Sequence, residues 1–237
     1  LLTEYPMVQK YLDLEALKLG YFDSGAFLFE HSKQFTIWDV KRHKSALPKM
    51  ALSPVGSFMD KIRLSNLRAR LVDKSYEEIF DAPELTTLEY LQGLGFSERI
   101  IERFFRPFYG GIFLEPHLET SSRMFEFTFK MFAQGQAALP GKGIEAIPQQ
   151  LKSQLTKTDF RFQTEVAQVN SGSVRLSSGE EIEAKQIIIA CEAPQLLPQL
   201  ETTESWNSTT QFYFSAPKSP LRSKLIGLQY GDDPYIN

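Results

Sequence analysis

The chain has 237 residues, enough for one large domain or two small ones, and its 42% hydrophobic and 23% charged residues are ordinary for a globular protein. Its formal net charge of -3 excludes an overall basic field that would attract nucleic acid or anionic lipid. The single cysteine, Cys191, excludes an internal disulfide and a cysteine-rich zinc site.

No run approaches the roughly 20 apolar residues of a membrane span, and no signal peptide is visible. We therefore expect a cytoplasmic protein with no transmembrane segment. The three histidines lie far apart in sequence, so we expect no metal site. The chain begins at Leu1 without an initiator Met, and we expect both ends to be cut from a longer protein.

The first half of the chain reads as an early hairpin followed by helices. Residues 5–17 have helical apolar spacing, and residues 26–29 and 35–38 read as two strands joined by a polar turn. Ser57 is a candidate N-cap for a helix whose apolar stripe includes Phe58, Ile62, Leu67 and Leu71. The opposite side of that helix is rich in Lys and Arg, and we interpret it as a solvated face.

Two shorter helices are predicted next, over residues 85–91 and from the candidate N-cap Ser97 onward. The second should stop near Arg106, because Pro107 disfavours helical geometry in the residue before it. Residues 122–132 are ambiguous, since phenylalanines alternate with polar residues as in a strand. Phe125, Phe129 and Phe132 would also share one helical face.

Strands dominate after residue 139. A helix is predicted over residues 144–155, extended segments over 160–162 and 166–169, and a hairpin over 174–184 around Ser178-Gly179. Residues 186–190 form a short apolar run typical of a strand buried on both faces, and two more strands are expected at 206–215 and 224–228. These elements together predict an α+β fold.

Familiar catalytic motifs are absent from the sequence. It contains no G-x-S-x-G elbow, no P-loop and no G-x-G-x-x-G loop, so this chain cannot build the strand, glycine loop and helix that hold a dinucleotide pyrophosphate. Two glycine-containing segments stand out instead. Residues 106–113 place Gly110 and Gly111 beside large aromatics, and residues 138–144 place Gly141 and Gly143 ahead of a helix.

These segments carry a resemblance to a known family. Residues 104–113 (FFRPFYGGIF), 120–125 (TSSRMF) and 138–144 (ALPGKGI), together with residues 165–169 and 187–194, resemble bacterial FAD-dependent amine oxidoreductases. That group is related to phytoene desaturases and protoporphyrinogen oxidases. The resemblance also favours the helix over the strand for residues 122–132.

The resemblance implies a two-lobed enzyme, with a mixed-sheet substrate lobe that also carries helices and a Rossmann-like FAD lobe that is only partly present. Residues 1–138 would belong to the substrate lobe, 139–200 to the FAD lobe, and 201–237 would return to the substrate lobe. The implied cofactor contacts are Val166, Ala190, Cys191, Pro194, Gly141 and Gly143. The implied substrate-pocket residues are Phe108, Tyr109, Gly110, Gly111, Phe125 and Phe129.

By the same resemblance, the parent protein is expected to bind FAD and to remove a hydride from an amine or an unsaturated, largely apolar substrate. The family usually has a second glycine where Lys142 stands, which argues against a tight approach to the flavin there. Without the glycine loop, the fragment is expected to retain no FAD. The alternative is a non-catalytic binding or structural module of a larger protein. The resemblance identifies no catalytic residue, and no nucleic-acid partner is expected.

Overall fold

The computed structural model describes residues 1–30, 33–191, 196–197, 206–218 and 223–231. Helices and mixed sheets occur together, so the predicted α+β class is confirmed. The chain divides into two units, and each is described by itself. Unit 1 comprises Leu1–Gln154 and Ser208–Asn237, and unit 2 comprises Leu155–Asn207.

Helices are the most frequent regular elements among the described residues of unit 1. They are α1 (Pro6–Tyr11), α2 (Leu47–Ala51), α3 (Phe58–Asp73), α4 (Tyr76–Phe80), α5 (Thr87–Gly93), α6 (Glu98–Ile100), α7 (Arg106–Phe113), α8 (Ser122–Gln134) and α9 (Ala146–Gln154). The first predicted helix is shorter than expected, because α1 ends at Tyr11 and residues 14–18 form turns. The helical interpretation of residues 122–132 is confirmed by α8.

Three of these helices begin with the same local device, a capping box. A Ser or Thr hydroxyl accepts a hydrogen bond from the backbone three residues later, and the acidic side chain there accepts one in return. The pairs are Ser57 with Asp60 in α3, Ser75 with Glu78 in α4, and Thr86 with Glu89 in α5. The predicted role of Ser57 as an N-cap is confirmed.

The predicted helix end at Arg106 is wrong, because the chain remains helical through Pro107. Residues Ile101–Phe105 form a π-helical turn between α6 and α7, and the Arg106 N–H donates to the Ile101 carbonyl, five residues back. In an ordinary α-helix the Pro107 ring would clash with the carbonyl four residues earlier. The wider turn relieves that clash, so Pro107 lies in the first turn of α7.

Two small sheets accompany the helices of unit 1. Strand β2 (Gly25–Glu30) pairs antiparallel with β3 (Lys33–Trp38), which confirms the predicted hairpin. On its other side β2 pairs in parallel with β8 (Ile226–Gln229). Strand β1 (Gly20–Tyr21) pairs with β4 (Ala138–Leu139), so the start of the chain meets the segment that follows α8.

The core of unit 1 lies where the β3–β2–β8 sheet meets α3, α7 and α8. Leu28 from β2, Leu71 from α3 and the rings of Phe105, Tyr109 and Phe125 are all buried in one cluster. Burial of each large apolar side chain contributes roughly 2 kcal/mol. Many of the phenylalanines in the sequence therefore belong to this core or pack against it.

The described part of unit 2 contains one antiparallel sheet. Strands β5 (Val166–Asn170), β6 (Ser173–Leu176) and β7 (Glu181–Glu183) pair in that order, with a bulge between Val166 and Gln168. Gly179 has a φ of 91°, the left-handed conformation that its turn requires. The predicted hairpin over residues 174–184 is confirmed.

Three predicted extended segments form no strand in the described structure. Residues 160–162, 186–190 and 206–215 have no ladder partner among the described residues. Ile188, expected to be buried, is 81% exposed. An apolar run becomes a strand only when another strand satisfies its backbone groups, which the run alone does not specify.

Candidate functional site

The aromatic side chains of α7 and α8 form a packed group inside unit 1. The rings of Tyr109 and Phe125 lie 4.6 Å apart between centroids, and both residues are buried. Phe105 packs against both of them. Of the predicted substrate-pocket residues, Tyr109 and Phe125 are thus core residues.

A half-buried aromatic rim borders this core, and it consists of Phe104, Phe108, Phe129 and Phe132. The rings of Phe104 and Phe108 stack with centroids 5.6 Å apart and planes inclined by 12°. Phe108 also contacts Phe132, at 5.1 Å. Phe104 and Phe132 were not among the predicted pocket residues. The spacing of four residues between Phe104 and Phe108 could have identified Phe104, because residues four apart in a helix are neighbours on its surface.

The two glycines of α7 differ in what lies beside them. A Cβ atom on Gly110 would meet the Glu115 carbonyl oxygen at 3.1 Å, and the Glu115 N–H donates to the Gly110 carbonyl. A Cβ atom on Gly111 would meet nothing within 4 Å. The backbone that lies close to Gly110 is therefore that of Glu115 in the same chain, whereas Gly111 faces open space.

Gly141 and Gly143, which follow β4, also differ in whether anything lies beside them. The Gly141 N–H donates to the Leu17 carbonyl, and a Cβ atom on Gly141 would meet the Lys18 carbonyl oxygen at 2.9 Å. Gly143 has a φ of 88° and open space where its Cβ would be. Gly141 thus holds two parts of unit 1 together, and Gly143 leaves an accessible backbone ahead of α9.

The other predicted cofactor residues lie at the start of the three-stranded sheet of unit 2 or after it in sequence. Val166 is half-buried at the start of β5 and pairs with Leu176. Ala190 and Cys191 are exposed and belong to no strand. Pro194 lies outside the described residues. Within the described structure, β5 pairs only with β6, so the backbone groups of its other edge remain open.

Sequence reasoning missed a buried polar network between α3, α5 and α8. The Glu126 carboxylate in α8 accepts hydrogen bonds from the Lys74 ammonium and the Tyr90 hydroxyl. Arg70 donates to the Tyr90 oxygen at 2.5 Å and lies 3.9 Å from Glu126. Burial and this hydrogen bond to Glu126 raise the pKa of Tyr90 well above its usual range, so its hydroxyl remains a donor.

A cavity of about 300 Å³ opens beside this network. Its apolar lining comes from Ala82, Pro83 and Leu85, and its one buried carboxylate is Glu126. Arg123, which also lines the cavity, is held by the Ala82 carbonyl at 2.7 Å and by Glu84 at 3.9 Å. Because the cations of the lining are engaged by Glu126 and Glu84, the network acts mainly as a tie between helices.

Within the described residues, no three His, Cys, Asp or Glu side chains come together as metal ligands would. In the same ranges no helix combines the length and the apolar character needed to cross a bilayer.

Comparison with known families decides the assignment. Residues 4–218 match the family described as flavin containing amine oxidoreductase, and this match covers well over half of the chain. The chain belongs to that family. The resemblance seen in the sequence is therefore confirmed, and this amine oxidoreductase family member is a flavin-dependent oxidoreductase by class. No curated protein matches the chain.

Membership implies a flavin cofactor, and the residues of this amine oxidoreductase chain fit FAD only in part. In unit 1 the accessible backbone at Gly143 leaves space for a ligand, and in unit 2, taken by itself, β5 has an open edge among the described residues. A pyrophosphate needs a glycine loop leading into a helix N-terminus. The 237 residues contain no such loop with the dinucleotide pattern.

Proposed function

We propose that this chain forms part of an FAD-dependent oxidoreductase that removes a hydride from an amine or an unsaturated, largely apolar substrate. The observation that supports an apolar substrate is the aromatic rim, whose four rings are only half-buried. A bound flavin supplies the hydride acceptor. The chain's own residues orient the substrate and exclude water.

The proposed pocket wall consists of Phe108 and Phe129 from the rim, with Gly111 leaving room beside them and Gly110 backing the wall against the Glu115 carbonyl. Tyr109 and Phe125 support this wall from the core. Burial raises the pKa of the Tyr109 phenol well above its usual range, so this hydroxyl stays protonated at neutral pH. We assign no catalytic acid or base to this chain.

The proposed flavin contacts are Val166, Ala190, Cys191, Pro194, Gly141 and Gly143, and they carry over from the family resemblance. Accordingly, we assign residues 1–138 and 201–237 to a substrate lobe and 139–200 to a partial FAD lobe. Since the glycine loop is missing, we propose that polypeptide outside these 237 residues completes the cofactor site. The alternative, a binding module without redox chemistry, rests on the same missing loop.

The visible absorption spectrum tests this proposal. The 237-residue chain, incubated with FAD and then desalted, should be colourless. The longest natural polypeptide that contains it, purified in the same way, should show the absorption bands of oxidised flavin and lose them when an apolar amine or polyene substrate reduces it. A longer protein that stays colourless with added FAD would favour the non-catalytic module.

The pocket wall has its own test in the flavin-loaded protein. Phe108→Ala should raise KM for an apolar substrate about tenfold, because roughly 60 Å² of ring surface would no longer be covered. Phe80→Ala, at an exposed ring on α4, is the matched control and should leave KM unchanged. Equal effects of the two substitutions would remove Phe108 from the pocket.

A further inference from the structure

Four large apolar side chains stand exposed where α3 begins, and we call them the apolar patch. They are Leu52, Phe58, Met59 and Ile62, with exposed fractions of 87%, 70%, 52% and 39%. Leu52 lies in the connection before α3, and the other three belong to its first turns. Scattered exposed apolar residues are normal, but four of them within residues 52–62 indicate an interaction surface.

The geometry of α3 shows that the patch is not the edge of the core. At about 100° per residue, Phe58 and Ile62 lie roughly 160° from Asp60 around the helix axis. Asp60, Leu67 and Leu71 face inward and are buried. Phe58 and Ile62 therefore point directly away from unit 1.

Three cations adjoin the patch, and we call Lys61, Arg99 and Arg103 the cation cluster. The Lys61 ammonium donates to the Ala51 and Ser53 carbonyls, both at 2.8 Å, on either side of Leu52. Arg99 and Arg103 both donate to the Pro54 carbonyl, at 3.0 and 2.8 Å. The three positive charges thus surround the short segment that presents Leu52.

No carboxylate among the described residues neutralises this cluster. None of its three members forms an ion pair within 4.0 Å there. Asp60, the acid beside Lys61, is buried, is bound by Ser57 and Ser97 and pairs with Arg63. Of the acids beside the two arginines, Glu102 pairs with Arg106, and Glu98 forms no ion pair within 4.0 Å among the described residues. Partial burial and the neighbouring Arg99 charge lower the pKa of Lys61, and together they outweigh the opposing effect of the Asp60 carboxylate.

We propose that the apolar patch and the cation cluster together bind a membrane surface that contains anionic lipid. The cluster binds the headgroup phosphates or carboxylates, and the patch inserts its side chains among the acyl chains. Leu52, at 87% exposure, suits insertion into a fluid phase better than packing in a protein groove. The net charge of -3 excludes attraction through an overall field, so binding depends on this local face.

Vesicle co-sedimentation tests the proposal, which is independent of the proposed redox function. The chain should sediment with phosphatidylcholine vesicles that contain phosphatidylserine and not with phosphatidylcholine alone, and added salt should weaken binding. The triple variant Lys61→Gln, Arg99→Gln, Arg103→Gln should lower the partition coefficient about a hundredfold. Phe58→Ser with Met59→Ser should lower it about tenfold.

A matched control separates the local face from net charge. Lys10→Gln, Lys157→Gln, Lys185→Gln makes the same change in net charge at exposed positions outside the patch and should bind like the parent chain. Circular dichroism establishes that each variant is folded. Equal loss in the control, binding that survives the apolar double variant, or no binding to either vesicle would overturn the proposal. So would a homodimer in gel filtration that Phe58→Ser, Met59→Ser dissociates.

Discussion

At the scale of single residues, Asp60 has the most concentrated set of interactions. Its buried carboxylate accepts from the N–H and hydroxyl of Ser57 at 2.7 Å each, and from those of Ser97 at 2.9 and 2.6 Å. It therefore joins the start of α3 to the start of α6. Ser97 was predicted to cap its own helix, but its hydroxyl donates to Asp60 and caps nothing.

Asp60→Ala should lower the free energy of unfolding by about 2 kcal/mol, because it removes a helix cap and leaves the part-buried N–H groups of Ser57 and Ser97 without this acceptor. Asp73→Ala, at an exposed position in the same helix, should change stability by less than about 0.5 kcal/mol. Urea denaturation of the two variants measures the difference. Equal losses would show that the four hydrogen bonds contribute nothing net.

The pH dependence of the same variant follows from the sign of the Asp60 shift. Burial raises the pKa of this carboxyl, but its hydrogen bonds to Ser97 and Ser57 outweigh burial and hold the pKa below the ordinary 3.8. A lowered folded-state pKa contributes stability that is fully present above the unfolded pKa and is lost as pH falls through the folded one. The stability gap between the parent chain and Asp60→Ala should therefore be constant near neutrality and shrink below about pH 4.

At the scale of elements, α8 explains why its sequence pattern was ambiguous. Phe125 and Phe129 face the core, while Glu126, Thr128 and Lys130 on its other sides are also buried. A helix covered almost all round loses the polar face that marks helical periodicity. Alternation of polar and apolar residues then imitates a strand, and only the tertiary partners of the polar residues resolve it.

Lys130 shows what one of those partners is. Its ammonium donates to the carbonyls of Leu71, Val72 and Lys74, at 3.2, 2.6 and 2.8 Å. These oxygens lie at or just beyond the C-terminal end of α3, where carbonyls lack helical partners and the helix dipole is negative. One side chain of α8 thus terminates another helix.

Lys130→Met should lower the free energy of unfolding by about 2 kcal/mol, since it keeps the side chain's length but removes the charge from three buried acceptors. Lys49→Met, at an exposed site on α2, serves as the control. Hydrogen exchange should show faster opening of the amides in the last turn of α3. Unchanged exchange there would mean that water replaces the ammonium without cost.

At the scale of the whole molecule, the sequence predicted the elements that depend on residues close together in the chain. It missed features that depend on contacts between residues far apart in the chain. The Ser57 cap, the β2–β3 hairpin and the 174–184 hairpin follow from local spacing and turn residues. The continuation through Pro107 required a π-helical turn, which no local rule specifies. Among site residues, aromatic spacing indicated the Phe-rich region but not which rings are core and which form the rim.

The misassigned segment 206–215 leads to a proteolysis prediction. Phe212, Tyr213 and Phe214 are 73–91% exposed and belong to no described ladder, whereas Tyr109 and Phe125 are buried in helices. Brief chymotrypsin digestion should therefore release peptides ending at residues 212–214 before any ending within 101–134, because cleavage requires an accessible extended backbone. Mass spectrometry gives the order. Early cuts inside α7 or α8 would contradict this assignment of the core.

Arg42 brings together two points that are far apart in sequence. Its guanidinium donates to the Gln134 and Gly135 carbonyls at 3.0 and 2.6 Å. The two ends of the stretch 43–134 therefore lie no farther apart than the length of one arginine side chain. A stretch with adjoining ends can change length at its exposed loops without moving the chain on either side of it, whereas its buried residues must keep their fit to β2. Variation is therefore expected in the loops between these helices and not in the side chains that pack on the strands.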